Sequence, residues 1–286
     1  MAYTGTGTQS DPYVVTTFAD FLECVAQEGV YVEVGADLDA AAEGYGYISP
    51  IDVKAVEVYG TAGDTLRKIS NVTVEGSYIF ASSYVPVQLI SRLHLENWTW
   101  KAVHPAVMFN KGNSQGINVQ YCKMSVSVTG DSVSTSVRLK RYCYTADSAF
   151  VIQMHNCGNF VPCTASSTAE GSRNTTISID GNGTSTWVAG TSASSRWQYC
   201  TNTGIVLKNM EVTGAPGING GEGFGYLVFE DCTLPGSSAI YAAKESNLIC
   251  FAGTTSDESA RVNSGTVVTQ SQLKDKAYLQ SIGWLP

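Results

Sequence analysis

Leu95-Glu96-Asn97-Trp98, Met154-His155-Asn156-Cys157, Leu207-Lys208-Asn209-Met210 and Phe229-Glu230-Asp231-Cys232 share one order of residues. Each runs apolar, polar, Asn or Asp, and then Cys, Met or Trp. Val119-Gln120-Tyr121-Cys122 follows the same order except at Tyr121. The pattern reads as a strand that ends at a corner. Asn and Asp tolerate the left-handed backbone that a sharp corner needs. The next side chain turns back toward the interior, where a polarizable Cys or Met fills an irregular gap. Corners stacked on one another make ladders of like residues.

The stretches that carry these corners alternate with the period of a strand. They are Ile69 to Gly76, Leu89 to Trp100, Ile117 to Val128, Val151 to Cys157, Ile177 to Gly183, Ile205 to Val212, Tyr226 to Leu234 and Leu248 to Phe251. Later runs start roughly 20–35 residues apart, the repeat range of solenoids. Variable rung length predicts loops projecting at Thr129 to Thr135, Thr164 to Arg173 and Thr184 to Arg196. Asn219-Gly220 and Asp180-Gly181-Asn182-Gly183 carry hairpin signals, so a β-sandwich stays open as the alternative.

Helical periodicity is confined to the two ends. Phe18, Phe21, Leu22 and Val25 form one apolar face, with Thr16 or Thr17 to cap the helix, Asp20 in its first turn and Gly29 to stop it. Near the other end, Thr269 and Gln272 predict a capping box for a helix from Gln270 to Ile282, closed by Gly283. Leu273, Ala277 and Leu279 or Tyr278 would supply its apolar face. The chain therefore divides into 1–47, a strand-helix cap; 48–253, the solenoid body; and 254–286, a strand-helix segment.

Composition agrees with strands and turns. Of 286 residues only 15% are charged, where about 25% is usual, and 28 Gly and 15 Tyr are present. The net charge of −8 supplies no basic footprint for nucleic acid. No apolar run reaches the roughly 18 residues of a spanning helix, so membrane insertion is not expected. The first residues lack a basic stretch followed by an apolar one, so no secretory leader is expected. Eight cysteines are spread without a CxxC pair and read as small buried hydrophobes rather than bridges or metal ligands.

The corner pattern resembles right-handed, single-stranded parallel β-helices, the solenoid of pectate-lyase-like enzymes and many phage tailspikes. The resemblance covers roughly Ile48 to Gly253 and implies an all-β body with short helices at both ends. It says nothing about activity.

Glu96, Asp147, Asp180, Glu211, Glu230 and Asp231 are the carboxylates available for glycoside cleavage, which needs two at a fixed separation. They form no paired acidic motif, and Glu96, Glu230 and Asp231 belong to the repeat. His94, His104 and His155 have no ligand spacing, and no GxSxG elbow is present. No catalytic residue, metal site or cofactor is therefore assigned. Gly214 to Gly223 is Gly-rich but lacks the GK[ST] ending of a P-loop and reads as a flexible turn. Asn71, Asn97, Asn174 and Asn182 match the glycosylation sequon and read as chance in an Asn/Thr-rich chain.

Aromatic residues give the binding hint. Trp98 and Trp100 share one strand face. Trp187, Arg196, Trp197 and Tyr199 lie in or beside a Gly/Ser/Thr-rich loop and form the candidate binding site, because exposed aromatics stack on sugars or anchor partners.

Gly5-Thr6-Gly7-Thr8-Gln9-Ser10-Asp11-Pro12-Tyr13-Val14-Val15 with the Phe-rich helix, and Leu273 to Trp284, look like the ends of structural proteins of tailed bacteriophages and prophages. This resemblance implies a non-enzymatic head fibre, decoration protein or tail spike. Such a protein would be assembled in the host cytoplasm, released by lysis, and attached to capsid or tail proteins or to a host-surface glycan. It also implies a homo-oligomer, in the first instance a trimer. The competing class is a carbohydrate-active β-helix enzyme, a lyase or hydrolase of a bacterial glycan.

Overall fold

The computed structural model describes the chain apart from residues 1–2, 62–64, 83–87, 112–116, 133–134, 142, 158, 164–171, 184, 190–196, 199, 202, 215–216, 220–224, 235–239, 243–246, 254–261 and 284–286. It is a parallel β-solenoid. Three sheets run along the stack. The first has eight strands, from Tyr13–Val15 through Tyr31–Val34, Glu57–Gly60, Gln88–Ser91 and Ile117–Gln120 to Cys200–Thr201. The second is the large sheet that carries the corner motifs, and the third has four short strands between Trp197–Gln198 and Val262–Asn263.

Every pairing between these strands is parallel, which removes the β-sandwich alternative. The hairpin signal at Asp180 to Gly183 is a corner instead. The strands on either side, Thr176–Asp180 and Thr186–Ala189, pair with other rungs and not with each other. Gly217–Asn219 is likewise a strand of the third sheet, not a flexible turn.

Register shows why the repeat folds this way. In the second sheet Ile69, Leu95, Met124, Phe150, Ile177, Ile205, Leu227 and Ile249 lie in one row, each on the next rung. All are buried. Each large apolar side chain taken from water contributes about 1.5–3 kcal/mol, so the row alone outweighs any single surface pairing. A slip of one residue would turn the whole row to solvent. Phe80 stacks on Phe109 at 5.5 Å and lies 5.3 Å from Trp98, which adds an aromatic ladder inside the stack.

The corners are left-handed as the motif requires. Asn71, Asn97, Asp147, Asn156, Asn174, Asn182, Asn209 and Asp231 all have φ between 46° and 56°. The residue after the corner points inward: Trp98, Cys122, Cys157, Met210 and Cys232 are buried. Its polar atom has a fixed use. Cys122, Cys157 and Cys232 direct their thiols at the carbonyl two residues back, at 3.2–3.4 Å, and the Ser148 and Thr175 hydroxyls do the same at 2.6 and 2.9 Å. The corner thus selects a small donor, not only a gap filler. Cys24, Cys122, Cys157, Cys232 and Cys250 are free and buried.

Helix α1 spans Phe18–Val25 and buries Phe18, Phe21, Cys24 and Val25. Thr17 caps it, and Glu43 accepts from the Phe18 and Ala19 amides across the chain. The other end departs from the single helix read in the sequence. Helix α2 spans Gln270–Lys274 with the capping box at Thr269 and Gln272, and α3 spans Lys276–Ser281. Asp275 ends one and caps the other, accepting from the Ala277 and Tyr278 amides, because extended backbone there frees its carboxylate for the new N-terminus. Ala277 is exposed, while Leu279, Leu273 and Tyr278 pack with Val228, Leu248, Cys250 and Val268 on the outer side of the last rungs.

Candidate functional site

The polar residues singled out in the sequence are placed by the ladders. Asn97 donates its side-chain amide to Asn71 Oδ1 at 2.7 Å, and Asn71 donates to Asp39 Oδ2 at 2.9 Å. Asn174 donates to Asp147 Oδ1 at 2.8 Å, and Asn209 to Asp180 Oδ1 at 3.1 Å. Asn182 Nδ2 meets His155 Nδ1 at 3.1 Å. The four sequon asparagines, Asn71, Asn97, Asn174 and Asn182, stand at left-handed corners.

The carboxylates are similarly engaged. Lys68 Nζ donates to both oxygens of Glu96 at 3.1 and 3.0 Å, and Lys208 pairs with Glu230 at 3.0 Å. Glu96 also stands 4.0 Å from His94 Nδ1. Burial, opposed by Glu96, pulls the His94 pKa below its ordinary value, so the ring is neutral near pH 7. These groups tie adjacent rungs on half-exposed strand surface. Among the described residues, no three His, Cys, Asp or Glu side chains gather as a metal centre would require.

Trp98 and Trp100 do not belong to a binding face. Both are fully buried, and their indole N–H groups donate to Ile69 O at 2.8 Å and Gly76 O at 2.9 Å. The left-handed corner at Asn97 resets the alternation, which sends Trp98 inward. Of the candidate quartet, Trp187 lies in the strand Thr186–Ala189, opposite Val212, and Trp197 in Trp197–Gln198, opposite Ile218. Arg196 and Tyr199 fall outside the described residues.

Several concavities of about 260–440 Å³ lie among the described residues, and two are set by the features above. One, of about 440 Å³, lies where α2 crosses the outer side of the second sheet and is lined by Val206, Lys208, Tyr226, Val228, Glu230 and Leu273. It is the seam of a packed helix. The other, of about 260 Å³, opens on the outer side of the first sheet and was not foreseen. Its residues lie a rung apart, since Tyr31 pairs with Glu57 and Glu33 with Tyr59. Spacing of this kind leaves no local motif. Burial raises the Glu57 carboxyl pKa against the pull of Arg92, and burial with Glu33 nearby raises that of Tyr59.

No protein-family model, curated protein or solved structure matches the chain.

Proposed function

We propose that this chain is a non-enzymatic structural or adhesive component of a bacteriophage virion surface: a fibre, decoration protein or spike. It would present a stiff parallel stack whose projecting surface meets capsid or tail proteins or a host-surface glycan. One observation carries the reading. Four of the six candidate carboxylates are held in rung-to-rung pairs, Glu96 to Lys68, Glu230 to Lys208, Asp147 to Asn174 and Asp180 to Asn209. A charge already paired on a ladder is positioned to hold the stack. The resemblance of both ends to phage structural proteins adds the setting, a particle assembled in the cytoplasm and freed by lysis. Assembly as a homo-oligomer, a trimer first, belongs to the same proposal and predicts a multiple of the 30.5 kDa chain mass by light scattering.

The test of the non-enzymatic part is direct. The isolated chain is incubated with the surface polysaccharide of its host cell, and the polymer is sized by chromatography. The proposal expects unchanged chain length. Shortened polymer would replace it with the glycan-cleaving reading.

A further inference from the structure

Among the described residues, eleven non-glycine residues have positive φ, and eight of them are Asn or Asp. Arg92, Tyr121 and Ser264 are the exceptions. A bulky side chain in this region costs about 1–2 kcal/mol relative to ordinary backbone, and such strain concentrates where it serves a function. Arg92 at φ 55° and Tyr121 at φ 53° occupy successive corners of one ladder, where the next two rungs carry the tolerant Asp147 and Asn174. Both are exposed, and both line the same cleft on the first sheet.

The rest of the cleft has matching chemistry. Tyr31 and Tyr59 are half-buried along its floor with Glu57, and Gln9 stands at its edge. Tyr59 lies opposite Glu33 on the neighbouring rung. Arg92 acts on Glu57 through charge, with no ion pair within 4.0 Å between them among the described residues, so its guanidinium has donors to offer a ligand. Aromatic faces, a carboxylate and planar donors around a small cavity suit a ring that is apolar on its faces and hydroxylated at its edge. The lining pairs one carboxylate, Glu57, with one guanidinium, Arg92, which suits an uncharged ligand, and the net charge disfavours nucleic acid. A volume of about 260 Å³ lies below the roughly 300 Å³ where drug-sized pockets begin, so it suits a single unit.

We propose that the cleft of Tyr31, Glu57, Tyr59, Arg92 and Tyr121 binds one uncharged sugar unit of a glycan. The Tyr121 ring stacks on the sugar, and Glu57 and Arg92 take its hydroxyls. This rests on the adhesive reading above and gives it the class of its receptor.

The probes are glucose, galactose, mannose, rhamnose and N-acetylglucosamine, each added to the full chain and read by saturation-transfer NMR. At least one is expected to receive saturation, and Tyr121→Asn and Glu57→Gln are each expected to weaken its binding about tenfold. Tyr121→Asn places a tolerant residue at the corner, so its thermal midpoint is expected to equal or exceed that of the parent, which separates lost binding from lost folding. Silence from all five sugars overturns the site, as does binding unchanged in both variants. Either failure leaves the virion proposal standing, because that is decided by the composition of particles. A chain absent from particles that still binds a sugar through Tyr121 keeps the site and removes the virion.

Discussion

Asn97 and Asn71, one rung apart at the same corner, are joined by a 2.7 Å hydrogen bond from the amide of one to the carbonyl oxygen of the other. Both have left-handed backbone, φ 55° and 56°. One residue type thus meets two needs, a corner that most side chains resist and a lateral link between rungs. Separating the two gives a first prediction. Asn97→Gly keeps the corner and loses the link, at about 0.5–1.5 kcal/mol. Asn97→Ala also adds the left-handed penalty of about 1–2 kcal/mol. Thermal midpoints should fall in the order parent, Gly, Ala; equal losses would deny the corner its part.

Trp98 tests the inward turn. Trp98→Ala is expected to cost roughly 3–5 kcal/mol by emptying a core site. Trp98→Phe is expected to cost about 2 kcal/mol, because Ile69 O loses its donor while most of the packing stays. Denaturant titration checks both. A loss under about 0.5 kcal/mol for Trp98→Ala would mean a surface residue.

Gly204 lies under the ring of Tyr226 on the next rung, so a methyl group there meets the ring. Gly204→Ala should destabilise by about 1–3 kcal/mol. In a Tyr226→Ala background the same change should cost far less. A thermal double-mutant cycle reads the coupling, and additive effects would contradict the contact.

Burial pushes the Cys122 thiol up to about 12 and the Cys232 thiol up to about 11, from an ordinary 9.0. A raised pKa means the folded state holds its proton where the unfolded state releases it. The resulting stability is complete below about pH 9 and is lost as pH rises toward 11–12. Stability should therefore fall with pH in that window. At pH 8 native Cys122 and Cys232 should resist iodoacetamide, with peptide mass spectrometry as the readout, and react fully after unfolding.

How far the sequence spoke depended on the range of the signal. Corners carried by Asn or Asp were legible because one residue type reports its own backbone. The corner at Tyr121 was legible only through its neighbours Val119, Gln120 and Cys122, since an aromatic gives no such report. The inward turn of Trp98 was legible in the corner motif, whereas its separate reading with Trp100 as a binding hint fails because both indoles are buried. The break at Asp275 was missed because the apolar spacing of Leu273 and Leu279 runs through it, while the cap there depends on one carboxylate. The cleft on the first sheet was out of reach: Tyr31, Glu57 and Tyr121 become neighbours only once rungs of 26 to 32 residues are stacked in register, as Val32 on Val58 and Val58 on Ile90. Of the aromatic site read in the sequence, Trp187 and Trp197 are placed on strands of different sheets.

The central claim concerns where the chain resides, and quantitative mass spectrometry of purified particles from lysates of the host that encodes it tests this most directly. The account predicts peptides of this chain at a fixed ratio to the major capsid protein, unchanged by further rounds of density-gradient purification. A ratio that falls toward zero with each round would contradict it.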